Sequence, residues 1–130
     1  VRDVEEAFRG HPNAYFIAHP ECGMDVLDRA DLVTSTSGMI QWVEENQDVI
    51  EERGVIIGTE VELVKRLQSR FPGKEIVPLF DRAICQTMKF ITLPKLCRSI
   101  EQEVFEVDVP EDIRERAYTA LKRMIEISPD

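Results

Sequence analysis

Apolar residues fall along this chain in short blocks, each about the length of a strand or of one helix face. Residues 14–18, 55–58 and 75–79 are compact runs, rich in Val and Ile and without polar alternation, and 31–34 is a weaker fourth. Between them the spacing changes to that of helices. Leu63, Leu67 and Phe71 recur at i, i+4, i+8 until Phe71-Pro72-Gly73 stops the pattern. Ser35-Thr36-Ser37 supplies N-capping hydroxyls for a helix running through Ile40, Trp42 and Val43 toward Ile50. Residues 1–8 read as the tail of a helix punctuated by His11-Pro12-Asn13, and residues 24–29 as a short helix turning Met24, Leu27 and Ala30 inward. Strands without alternation, separated by helices, predict an α/β fold: a three-layer αβα arrangement with a short parallel sheet covered on both faces.

Past residue 79 the pattern loosens. Residues 80–91 read as a loop with one helical turn, carrying Cys85. Thr92-Leu93-Pro94 opens a helix through Ser99 and Ile100, with the proline in its first turn. Residues 104–109 alternate Val and Phe with Glu and Asp, which predicts an edge strand or an extended arm. Pro110 begins a last helix with Ile113, Ala117, Leu121 and Met124 in one stripe. Phe16, Trp42 and Met124 are expected in the core, and Cys97 is expected to be a small buried hydrophobe.

Composition narrows the function. Among 130 residues, 16 Lys and Arg face 25 Asp and Glu, a net charge of −9 that repels phosphate backbones and argues against nucleic acid. No apolar run approaches the roughly 18 residues of a membrane span, and residues 1–10 are charged, with no secretory leader visible. Cys22, Cys85 and Cys97 make an odd count without a C-x-x-C pair, which reads as thiols in a reducing cytoplasm rather than a disulfide framework.

In open parallel sheets, ligands gather where strands end and helices begin. Three such junctions are polar here. His19-Pro20-Glu21-Cys22 follows the first strand, and an imidazole beside a carboxylate suits proton transfer, unless the segment is only a turn. Ser35 and Thr36 open a helix where unpaired N–H groups suit a phosphate or carboxylate, unless they only cap it. Gly58-Thr59-Glu60 offers a carboxylate that a helix start would favour on structural grounds alone. Cys85, in a loop near Lys89, suits a metal-binding thiolate or a small buried side chain.

The ordered set His19-Pro20-Glu21-Cys22, Ala30-Asp31, Ser35-Thr36-Ser37, Ile57-Gly58-Thr59-Glu60, Arg66-Leu67, Phe71-Pro72, Cys85-x-x-Met88-Lys89 and Thr92-Leu93 resembles the C-terminal portion of quinolinate synthases, iron–sulfur enzymes of NAD biosynthesis. The resemblance implies a pseudo-threefold, three-domain enzyme, of which residues 1–130 would be parts of two similar α/β subdomains with no linker between them. It implies a [4Fe–4S] cluster with one open iron, ligated by Cys85 and by two cysteines upstream of Val1, and leaves Cys22 off the cluster. It implies condensation of iminoaspartate with dihydroxyacetone phosphate to quinolinate, His19 and Glu21 being catalytic, and His19, Glu21, Ser35 and Thr36 contacting substrate. An L-aspartate oxidase or dehydrogenase would supply the iminoaspartate. Thr34 departs from the family pattern, standing where a small residue usually precedes Ser-Thr-Ser. The alternatives are a metal-independent lyase or phosphatase using Glu21 and the Ser-Thr-Ser anion site, and a non-catalytic acidic interaction domain.

Overall fold

In a computed structural model, residues 2–127 are described; Val1, first of the expected opening helix, lies outside them. The chain forms two compact units, Val1–Gln86 and Thr87–Asp130.

The first unit holds α1 (Arg2–Gly10), β1 (Tyr15–Ala18), α2 (Met24–Leu27), β2 (Leu32–Val33), α3 (Thr36–Glu45), α4 (Gln47–Arg53), β3 (Val55–Gly58), α5 (Val61–Arg70) and β4 (Ile76–Pro78). Its four strands lie in the order β2-β1-β3-β4, all parallel, with Ile17 opposite Leu32, Ala18 opposite Gly58 and Ile57 opposite Pro78. The expected α/β class is therefore observed, with helices on both faces.

Side chains along a strand point alternately to opposite faces, and the two apolar clusters follow that period. Ile17, Val55, Ile57 and Ile76 pack with Met39 and Val43 of α3, Ile50 of α4, and Val64 and Leu67 of α5. Phe16, Ala18 and Ile56 face the other way, onto Val4 of α1, with Cys22, Val26, Leu27 and Ala30 packed around them. The chain moves from β1 to β2 in one direction, then back across β1 to β3 and on to β4. With right-handed crossovers, that reversal places α2 on one face and α3, α4 and α5 on the other, which is the division the clusters show. Gly54 closes α4 at φ 73° and ψ 173°, a conformation that a side chain would strain, and so lets the chain turn directly into β3.

Several expectations are corrected within this unit. Met24 is 70% exposed; Val26, with Leu27 and Ala30, turns inward instead. The single helix expected toward Ile50 is two, broken at Asn46, whose backbone N–H and side-chain amide both donate to the Trp42 carbonyl. Trp42 is part-buried rather than central, stacked on Tyr15 with ring centroids 4.5 Å apart.

In the second unit, α7 (Leu93–Gln102) and α8 (Glu111–Ile127) follow a one-turn α6 (Gln86–Lys89) that begins at the last residue of the first. Thr92 stands at the N-cap position of α7, without a side-chain hydrogen bond to the helix, and Pro94 sits in its first turn, as the sequence predicts. None of this unit's described residues is buried. Met124 is 58% exposed and Cys97 is exposed, so neither is the core residue expected. The expected strand over 104–109 does not form a ladder: Glu103 ends α7 in the left-handed region at φ 50° and Phe105 follows at φ 66°, which breaks the extended alternation. Among the described residues no helix is long and apolar enough to cross a membrane.

Candidate functional site

The reversal of winding leaves β1 and β3 side by side with their connections leaving in opposite directions. In open α/β sheets the crevice at such a point, outside the C-terminal strand ends, is where ligands bind. The polar junctions read from the sequence meet along this edge.

His19 follows β1 directly, and its backbone N–H donates to the Gly58 carbonyl at 2.9 Å, carrying the ladder one step beyond the strand. Its side chain is 22% exposed, and Nδ1 accepts from the Glu21 N–H at 3.3 Å. In the neutral ring that bond puts the proton on Nε2, the nitrogen left to meet a ligand. Glu21 lies two residues on, its side chain 90% exposed and its carboxylate 3.9 Å from Nδ1, close enough to exchange a proton through the ring or one water. Cys22 closes the turn, its N–H donating to the His19 carbonyl at 2.9 Å and its thiol to the Gly58 carbonyl at 3.3 Å. Burial pushes that thiol above its ordinary pKa, against the hydrogen bond with the His19 backbone and with help from the negative charge of Glu21. Burial thus disfavours the thiolate at Cys22.

β2 ends beside β1, the Thr34 N–H donating to the Ala18 carbonyl at 3.1 Å. Ser35 is the N-cap of α3, its hydroxyl accepting from the Gly38 N–H at 3.2 Å, so this side chain is engaged in capping. Thr36, at the first helical position, is exposed, beside first-turn N–H groups that have no partner within the helix. Thr34 fits here because Gly38 lacks a Cβ, which would collide with Thr34 Oγ1 and stand 3.2 Å from its Cβ and Cγ2. Gly38→Ala should therefore destabilise by about 1 kcal/mol despite the better helix propensity of alanine, and with Thr34→Gly the same change should stabilise by a similar amount. Urea denaturation of the four variants of that cycle checks it.

Beyond β3, Glu60 caps α5, its carboxylate accepting from the Glu62 N–H at 2.8 Å. The next N–H, that of Val61, donates to the Ala83 carbonyl at 2.8 Å and pins the loop before α6 to the start of α5. Cys85 lies two residues past that tie, part-exposed and not in a disulfide. The loop bearing the predicted metal ligand is thereby held at the strand edge that carries His19. Among the described residues no group of three His, Cys, Asp or Glu side chains could hold a metal ion, so these residues offer at most part of a ligand set. A cavity of about 660 Å³ opens elsewhere, between α1 and the end of β4, and none of the five predicted site residues lines it.

Two contributions were not legible in the residue pattern. Asp31 pairs with Phe16 at both ends of its peptide, its N–H donating to the Phe16 carbonyl and its carboxylate accepting the Phe16 N–H, each at 2.8 Å. The Cys22 thiol reaches a carbonyl 36 residues away. None of these three bonds has a local sequence signal, because all join segments only the folded sheet brings together.

Comparison with known proteins adds to this geometry. The family model described as "NadA: Quinolinate synthetase A protein" matches residues 1–126. The chain is 39% identical over 126 residues to "Quinolinate synthase 2" of Methanosarcina acetivorans, covering 97% of this chain and 39% of that protein. It is 41% identical over 128 residues to "Quinolinate synthase" of Thermococcus onnurineus and 40% identical over 128 residues to that of Pyrococcus furiosus, each covering 98% of this chain and 40% of the relative. The chain thus spans about two fifths of the length of these curated relatives.

Proposed function

The chain belongs to the quinolinate synthetase A family, and on that premise we propose that it is the C-terminal portion of a cytoplasmic enzyme condensing iminoaspartate with dihydroxyacetone phosphate to quinolinate, with loss of phosphate and water. The observation that carries this reading is the family match across residues 1–126. The strand edge that gathers His19, Glu21, Thr36 and the Cys85 loop supports it. In this reading the rest of the enzyme completes a pseudo-threefold set of α/β domains, and an aspartate oxidase or dehydrogenase supplies the unstable imine.

Cys85 suits the family's cluster as one ligand among several: a part-exposed thiol, outside any disulfide, on a loop tied to the open strand edge. It would hold the [4Fe–4S] cluster together with two cysteines from outside these residues. When bound, the cluster supplies a Lewis-acidic iron with an open coordination position. The remaining work falls to this chain's own side chains. His19 donates from Nε2 to a substrate carboxylate or hydroxyl. Glu21 accepts and returns protons as enamine and hydroxyl stages require. Thr36 and the first-turn N–H groups of α3 hold an anionic group, carboxylate or phosphate, while Ser35 fixes the start of that helix.

The test is anaerobic reconstitution of the full-length enzyme with iron and sulfide, followed by measurement of quinolinate formed from the two substrates. Quinolinate formation that depends on reconstitution is expected. Equal turnover by the iron-free enzyme would instead favour a metal-independent lyase at the same edge.

A further inference from the structure

We propose that Cys22 is a positioning residue, whose thiol holds the His19–Glu21 turn against the end of β3 and so sets where the imidazole presents its Nε2 proton. The inference rests on the reading of His19 and Glu21 as active-site residues. Gly58 offers one carbonyl with two lone pairs, and both are engaged: by the His19 N–H at 2.9 Å and by the Cys22 thiol at 3.3 Å. That acceptor is itself held in place. A Cβ on Gly58 would stand 3.3 Å from both Phe16 and Leu79, so the strand end is closely packed. Within the turn the Cys22 N–H donates to the His19 carbonyl and the Glu21 N–H to the His19 ring. The His19 N–H thus holds the near end of the turn and the Cys22 thiol its far end, with both chemically active side chains between or at these two ties.

A thiol suits the place because its body and its proton do different things. The side chain packs against the apolar cluster that holds Phe16, Ala18 and Ile56, where an apolar side chain belongs. The proton makes a second bond to the buried Gly58 carbonyl, and burial disfavours its loss.

Two substitutions in the full-length reconstituted enzyme separate the sulfur's two parts. Cys22→Ser keeps a donor and loses apolar packing; Cys22→Val keeps packing and loses the donor. Cys22→Val is expected to lower kcat about 10-fold with iron content unchanged, and Cys22→Ser to stay within roughly 3-fold of the parent. A second readout is the long-range ¹H–¹⁵N correlation of the His19 ring, assigned with His19→Gln. Its Nε2-protonated pattern should persist in Cys22→Ser and give way to a tautomer mixture in Cys22→Val. A Cys22→Val enzyme with parental kcat and ring spectrum, or a Cys22→Ser enzyme as impaired as Cys22→Val, overturns the proposal. Should His19→Gln and Glu21→Gln both retain full turnover, the active-site reading fails, and the ring spectra of the Cys22 variants still decide whether the thiol orients the imidazole.

Discussion

Replacing Cys85 with serine in the full-length enzyme should remove the iron–sulfur cluster and quinolinate formation together, leaving the fold intact. The argument is one of ligand softness. Iron in such clusters is held by thiolates, and a serine hydroxyl is a harder, far more weakly acidic donor. Cys85 belongs to neither apolar cluster of the first unit, so its loss opens no cavity. Iron and acid-labile sulfide per chain are expected to fall to about a tenth or less of the parent, because a cluster left with one weak ligand is not retained. Circular dichroism should be unchanged. A variant carrying a full complement of cluster would show that Cys85 is not a ligand.

The next largest effect is expected at the turn after β1. His19→Gln removes the titrating ring and Glu21→Gln removes the carboxylate, each with little change in size. Either should lower kcat by about 10²- to 10⁴-fold, the usual worth of positioned acid–base groups. Because Nδ1 of His19 and the Glu21 turn are joined by a hydrogen bond and lie within 3.9 Å, the two act as a unit. The double variant is then expected to be little worse than the poorer single one. Cluster content should remain at the parental level in all three, since neither residue belongs to the proposed ligand set. Parental turnover in Glu21→Gln would leave the turn as mere structure and favour a non-catalytic acidic domain.

Much of the first unit was legible because its strands are buried on both faces. Phe16 and Ile17 are consecutive apolar residues serving opposite clusters, which explains why no polar alternation marks the strand. The helices α3 and α5 were legible from their periods, but a four-residue helix such as α2 has barely one turn, too little for a period to distinguish Met24 from Val26. The stripe on α8 was read correctly as apolar, and Met124 within it wrongly as a core residue. Periodicity identifies the apolar face of a helix and says nothing of what lies against it, and Cys97 on α7 was misplaced for the same reason. The alternation over 104–109 satisfied the pattern of a strand, yet a strand also needs a neighbour and extended backbone, and the positive φ of Phe105 denies the second. At the site, the side chains with chemistry were legible as residues at strand ends. The hydrogen bonds that aim them were not, because Asp31 to Phe16 and Cys22 to Gly58 exist only after the sheet has formed.

The margins of the sheet carry a last consequence, for the time before folding is complete. Parallel pairings such as Ala18 with Gly58 join distant parts of the chain, so such sheets close late and stand half-built for longest. A half-built sheet is a template for strands of other molecules. Here both rims are poor templates: β2 has only two residues, and β4 has three and ends in Pro78, which has no N–H to offer. Growth of the sheet by recruitment of a neighbouring chain is therefore blocked at each side by brevity and by an imino acid, without a dedicated protective element.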